Sequence, residues 1–112
     1  MLYELRIYTI AQGRRKDIED LFKHTNLPNF KKHGIPVLGV WYAAEESRDI
    51  LYYILQFDDL AAKDAKWKEF YAEPGWQADI AEFQKKGDVV LKHDSQLMSM
   101  VSFFPNWKGD AR

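Results

Sequence analysis

Residues 50–57 constrain the fold more than any other segment of this 112-residue sequence. The segment is β-rich, and successive side chains of a strand point to opposite sides of its sheet. Both sides would be apolar here, with Leu51, Tyr53 and Leu55 on one and Ile50, Tyr52 and Ile54 on the other. Water does not suit either face, so the strand must lie between two layers of protein.

Three further strands and two main helical segments supply these layers. Apolar and polar alternation or β-rich composition predicts strands at residues 2–10, 37–42 and 97–104, with residues 89–91 also extended. The resulting order is β-α-β-β-α-β, with one extra short helix before the last strand. We therefore predict an α+β fold of ferredoxin-like type, with a four-stranded antiparallel sheet and helices on one face. Residues 1–112 suffice for one such domain.

The helical segments are bounded by glycine and proline. The first opens at Gly13 and should break near Asn26, because Pro28 has no N–H to donate; a short turn then runs to Gly34. The second is capped by Asp58 or Asp59. A third, shorter helix ends at Gly87. Their apolar stripes hold Ile18, Leu21, Phe22 and Thr25 in the first helix, Leu60, Lys63, Trp67, Phe70 and Tyr71 in the second, and Trp76, Ile80 and Phe83 in the third.

The uncovered sheet face predicts a second copy of the chain. Two subunits packed sheet to sheet would form an eight-stranded barrel, whose lumen has room for side chains or one small ligand. We expect a homodimer with an apolar interface of about 1,600 Å² or more, since it replaces a missing core layer. Sequence alone does not say which face of residues 50–57 lines the cavity.

Composition argues against several partners. The formal net charge is −1, from 16 basic and 17 acidic residues spread along the chain, so we expect no nucleic-acid partner. No run reaches the roughly 20 apolar residues of a membrane span, and Glu4 and Arg6 interrupt the N-terminal segment, so we expect no membrane partner. The chain has no cysteine, which fits a reducing compartment; we expect it in the cytoplasm.

Glu4, Arg6 and Tyr8 form the strongest polar constellation. They alternate onto one face of the first strand, so in the predicted dimer they would point into the lumen or the interface. A buried carboxylate and guanidinium must be paired. The group either binds a carboxylate or carbonyl compound, or forms a structural ion pair between subunits. Trp41 is a further candidate for ligand binding, because Gly39 on the same strand face leaves room for a ring.

Histidines are the candidates for acid–base chemistry. His24 and His33 are the possible catalytic residues, but His24 also fits a surface pair with Asp20, and His33 a helix C-terminal cap before Gly34. His93 lies in the polar stretch KHDSQ and reads as solvated. The histidines lack metal-ligand spacing, and GxGxxG, P-loop and GxSxG patterns are missing from the sequence, so we predict neither a metal nor a cofactor.

Four segments occur in the order typical of the NIPSNAP family: YELRIYTI from Tyr3, PNFKKHG from Pro28, GVW from Gly39 and EPGW from Glu73. The chain resembles that family over most of its length. It departs from the pattern in RDILYYILQF, where members often carry Asn and His, and at Lys63, where members often carry Arg. The resemblance implies ferredoxin-like subunits that pair through their sheets as a dimeric α/β barrel, and it implies no settled activity.

Three functions remain open on this basis. The first is binding of a small, partly apolar molecule in a barrel cavity. The second is a cofactor-independent enzyme of the monooxygenase or isomerase type, in which Arg6 holds an enolate oxygen and His24 or His33 moves a proton. The third is a non-catalytic interaction scaffold, whose lumen would be filled by its own aromatic side chains.

Overall fold

The computed structural model describes residues 1–109. Its sheet has four strands: β1 (Leu2–Ile10), β2 (Val37–Tyr42), β3 (Ile50–Phe57) and β4 (Val90–Ser99). They lie in the order β2-β3-β1-β4, and every neighbouring pair is antiparallel. The predicted α+β, ferredoxin-like subunit is confirmed.

The helices lie on one side of this sheet. α1 (Arg15–Leu21) passes through a π-helical turn (Phe22–Asn26) into α2 (Leu27–Lys32), and after β3 come α3 (Leu60–Ala72) and α4 (Pro74–Gln84). The expected break near Asn26 is therefore a widened turn in a continuous helix. Asp59 caps α3 by accepting a hydrogen bond from the Ala62 N–H at 2.7 Å. Gly34 has the positive φ of a left-handed helix stop, at 68°.

The last strand was predicted wrongly. It spans Val90–Ser99, so the polar stretch KHDSQ lies inside it, and only Leu97–Ser99 overlaps the predicted segment 97–104. Residues 102–104 lie in a turn and a bend instead, and Phe103 and Phe104 are exposed. The physical reason is that β4 is an edge strand whose side chains are mostly exposed, so polar residues suit it.

The core lies between the sheet and the helices. Leu51, Tyr53 and Leu55 are buried there, so this is the face of β3 that the helices cover. The register between β1 and β3 then fixes which side chains of β1 share this face: Glu4 lies opposite Leu55, and Arg6 lies opposite Tyr53. Because residues directly opposite in a sheet share a face, the polar face of β1 points toward the helices.

The other sheet face carries no helix of the described chain. Leu5 and Ile7 of β1 and Tyr52 and Ile54 of β3 are only half-buried on it. Trp41, opposite Tyr52, shares this open face and is 49% exposed. Within residues 1–109, none of the helices is long and apolar enough to span a membrane.

Candidate ligand-binding site

A cavity of about 390 Å³ lies between the sheet and the helices. The sheet contributes Arg6, Tyr8, Tyr53 and His93 to its wall. The opposite wall is largely aromatic and comes from α2, α3 and α4, through Phe30, Trp67, Phe70, Tyr71, Trp76, Ile80 and Phe83. The cavity is thus apolar over most of its surface and polar along β1.

Glu4 anchors the polar side. Its side chain is 2% exposed, and its carboxylate accepts three hydrogen bonds. The donors are Arg6 Nη1 at 3.2 Å, the Trp67 indole N–H at 2.7 Å and the Ser95 hydroxyl at 2.6 Å. These donors offset the cost of burying the carboxylate. They also join α3 and β4 to the first strand.

Arg6 links this carboxylate to two tyrosines. Its Nε donates to the Tyr53 hydroxyl at 3.1 Å, and that hydroxyl lies 2.9 Å from the Tyr8 hydroxyl. The guanidinium also lies 4.8 Å from the centre of the Trp67 ring, a cation–π distance. Burial lowers the pKa of Arg6, but Tyr53 and Tyr8 together raise it above its usual value. The guanidinium is therefore always charged.

Tyr53 and Tyr71 of the cavity stay protonated. Burial raises the pKa of Tyr53 well above its usual value; Tyr8 adds to that rise and Arg6 opposes it. Burial also raises the pKa of Tyr71, and Arg6 again opposes the rise. Each phenol therefore keeps a proton that it can donate.

The structure corrects the expected direction of the polar face. Glu4, Arg6 and Tyr8 come together as predicted, but they point toward their own subunit's helices and not into a lumen between two sheets. The Glu4–Arg6 ion pair accordingly lies within one chain. The reason is that a triply satisfied carboxylate can be buried, so a polar strand face need not avoid the core.

The other candidates lie elsewhere. Trp41 is on the open sheet face, where its indole covers Gly39 so closely that a Cβ there would collide with it. His24 is exposed on the π-helical turn, and its expected partner Asp20 instead faces Lys16 at 3.6 Å. Neither residue reaches the cavity containing Arg6.

His33 lies outside the cavity, where it connects α2 to the two following helices. Its Nε2 lies 3.1 Å from Glu73, and its Nδ1 lies 3.6 Å from Glu69. Lys32 donates to the same Glu73 at 2.6 Å. These contacts tie the end of α2 to α3 and the start of α4. The capping interpretation matches the position of His33 at the α2 C-terminus.

Sequence reasoning missed four residues of the site. Tyr53 and Ser95 are the direct neighbours of Arg6 on the two flanking strands, and His93 is the neighbour of Tyr8. Only the strand register reveals them. The sequence placed Trp67 on the apolar stripe of its helix; it does pack against Phe70, at 5.2 Å between ring centres, but it also donates to Glu4.

Trp76, like Trp67, both lines the cavity and donates its indole N–H to a buried polar side chain, here Asn26. The amide oxygen accepts the Trp76 indole N–H at 2.9 Å, and both residues line the cavity. In the part of the chain that the structure describes, no three His, Asp or Glu side chains come together to hold a metal ion.

Comparison with known proteins agrees with this architecture. An uncharacterized NIPSNAP domain protein from Burkholderia xenovorans superimposes with a TM-score of 0.82 at 20% identity, over 94% of this chain and 99% of that one. A dimeric ferredoxin-like protein from an uncultured marine organism gives 0.65 at 12% identity, over 90% and 94%. An antibiotic biosynthesis monooxygenase gives 0.61 at 14% identity, over 90% and 99%.

At these identities the superpositions establish the fold alone. No curated protein matches the sequence. The profile of the NIPSNAP family, however, matches residues 3–105, which is nearly the whole chain. The resemblance carried by the four sequence segments is thereby confirmed, and this chain belongs to the NIPSNAP family.

Proposed function

We propose that this protein is a homodimer in which each subunit binds a small, partly apolar molecule between its sheet and its helices. The observation that carries the proposal is the cavity of about 390 Å³ beside Arg6 and Tyr8. Known ligand sites measure about 300–1,000 Å³ and combine apolar walls with a few convergent polar groups. A pure scaffold would be expected to fill this volume with its own side chains. The cytoplasm is the compartment we assign to it, since the chain has no cysteine.

A neutral fluorescent probe tests the cavity. N-phenyl-1-naphthylamine brightens in apolar surroundings, so we expect saturable enhancement with this protein. Ile80→Trp should weaken it, because Ile80 lines the cavity and the larger indole ring would occupy part of the volume. Ala78→Trp is the matched control on the exposed side of the same helix. Equal enhancement in both variants would place the probe outside the cavity and contradict the proposal.

The open sheet face supports the dimer. Half-buried Leu5, Ile7, Tyr52 and Ile54 form an apolar surface there, and the ferredoxin-like protein of similar fold is described as dimeric. Light scattering at micromolar concentration should give twice the subunit mass of 13.2 kDa. Ile7→Lys should split the dimer, whereas Ala65→Lys on exposed α3 should not. A parental protein of single-subunit mass would refute this part.

A second candidate is a cofactor-independent enzyme, favoured by the position of His93. Its ring centre lies 6.3 Å from that of Tyr8, at the cavity that holds Arg6. Arg6 would hold a phenolate or enolate oxygen and His93 would move the proton; His24 and His33 are too remote for that role. We expect oxygen uptake with 1-naphthol above that of heat-inactivated protein, and its loss in His93→Gln. Uptake equal to the inactivated control would exclude the monooxygenase form of this candidate.

A further inference from the structure

The charge at the polar wall is already balanced. Arg6 is paired with Glu4 at 3.2 Å, and Glu4 is held in place by two further donors, Trp67 and Ser95. The pair is neutral as a whole. A ligand carboxylate would add an uncompensated negative charge beside a buried carboxylate, at a cost in desolvation. Asp88, also on the cavity wall, adds another negative charge.

The donor and the acceptor can be assigned for each hydrogen bond in the series Arg6, Tyr53, Tyr8. A guanidinium only donates, so the Tyr53 oxygen accepts from Arg6 Nε. Tyr53 is 1% exposed, and among residues 1–109 the acceptor left for its own proton is the Tyr8 oxygen at 2.9 Å. A buried donor without a partner is costly, so Tyr53 donates to Tyr8. The Tyr8 proton is then directed away from Tyr53 and is free for a ligand.

Arg6 contributes a second free donor. Its Nε donates to Tyr53 and its Nη1 to Glu4, and among residues 1–109 these bonds leave Nη2 for a bound molecule. The Tyr71 hydroxyl also interacts with this guanidinium. Arg6 and Tyr8 both line the cavity, so their free N–H and O–H groups belong to the same wall. A wall that offers donors but has no unpaired positive charge selects an uncharged acceptor.

The aromatic wall on the opposite side of the cavity favours a ligand with a planar ring. Trp67, Tyr71 and Trp76 lie across the cavity, and their ring centres are spaced at 5.3 and 5.4 Å along the series. Aromatic side chains at such spacings offer both faces and edges to a flat ring. The cavity therefore fits an aromatic ring with one oxygen directed at β1.

We infer that the ligand is a neutral aryl carbonyl compound, whose oxygen accepts hydrogen bonds from Arg6 Nη2 and the Tyr8 hydroxyl. The inference rests on the proposed function and narrows its ligand from any partly apolar molecule to one chemical class. Carboxylates of the same size are disfavoured by the Glu4 charge, and plain hydrocarbons leave both donors unpaired.

Three probes with one ring system separate these classes. They are 2-acetylnaphthalene, which is a neutral carbonyl compound, 2-naphthoate, which is charged at pH 7, and naphthalene, which has no acceptor. Equilibrium dialysis should give the lowest Kd for 2-acetylnaphthalene, by about tenfold or more over the other two, the effect of one hydrogen bond to a charged donor.

A conservative pair of variants assigns the donor. Tyr8→Phe should raise the Kd for 2-acetylnaphthalene about tenfold, toward the value for naphthalene. The Kd for naphthalene should not change. Tyr52→Phe is the matched control, because its hydroxyl belongs to the opposite sheet face. An unchanged Kd in Tyr8→Phe, or an equal loss in Tyr52→Phe, would overturn the assignment.

The outcomes distinguish this inference from the proposed function. Binding of 2-naphthoate as tight as that of 2-acetylnaphthalene overturns the carbonyl class but leaves a ligand-binding cavity. Equal binding of naphthalene and 2-acetylnaphthalene shows that the donors are unused and likewise overturns the inference. Failure of all three probes to bind refutes the proposed function itself.

Discussion

Replacing Glu4 by Gln tests the polar network most stringently. The change keeps the shape of the side chain but removes its charge, and it replaces an oxygen acceptor by an amide donor. One of the three donors that face Glu4 then meets another donor, and Arg6 is left without its counter-charge at 12% exposure. Removing one partner of a buried ion pair costs about 3–5 kcal/mol. That is a large share of a typical stability of about 5–15 kcal/mol.

Arg6→Gln should cost less, about 2–3 kcal/mol, because Glu4 keeps the hydrogen bonds from Trp67 and Ser95. In the double variant neither charge is left unpaired. We therefore expect its loss to fall below the sum of the single losses by at least about 1 kcal/mol.

Urea unfolding followed by circular dichroism, at one protein concentration, measures all four forms. Losses that add within about 0.5 kcal/mol would refute the reasoning, because independent sites behave in that way. The matched control is the surface pair of Glu45 and Arg48, 3.8 Å apart with side chains 65% and 52% exposed. Its two Gln variants should each change stability by no more than about 0.5 kcal/mol, without coupling.

Two further variants address packing and pH. Trp67→Ala should lose about 3–5 kcal/mol in the same urea assay, since it removes a ring packed on Phe70 together with a donor to Glu4; a parental midpoint would contradict this. The hydrogen bond from Lys32 lowers the pKa of Glu73, burial opposes that shift, and His33 adds to it. The ionised Glu73 carboxylate therefore stabilises the fold, and this contribution is lost as the pH falls through the lowered pKa. Glu73→Gln should therefore lose less stability between roughly pH 6 and pH 3 than the parent, and an unchanged pH profile would disprove the role of Glu73.

The sequence predicted most of the architecture because its patterns are local. Alternation located β1, and the positive φ of Gly34 and Gly87 lies where each helix was predicted to end. β4 was misplaced because its polar residues sit on an edge strand, while the apolar residues that follow, such as Phe103, are exposed. Hydrophobicity marks buried strands and says little about an edge strand.

The site was predictable only in part, because it depends on long-range register. Alternation grouped Glu4, Arg6 and Tyr8 correctly. Both faces of β3 are apolar, however, so pattern alone could not tell which of them the helices cover. Pairing of Arg6 with Tyr53 on one side and Ser95 on the other exists only once the strands are aligned. The direction of the polar face followed from that alignment.

A crystal structure of the protein soaked with 2-acetylnaphthalene tests the central claim most directly. The account predicts the naphthalene ring against Trp76 and Tyr71 inside the cavity, with the carbonyl oxygen about 2.7–3.2 Å from the Tyr8 hydroxyl and Arg6 Nη2. Electron density for the probe only on the open sheet face, or an empty cavity at a probe concentration that saturates binding in solution, would contradict it.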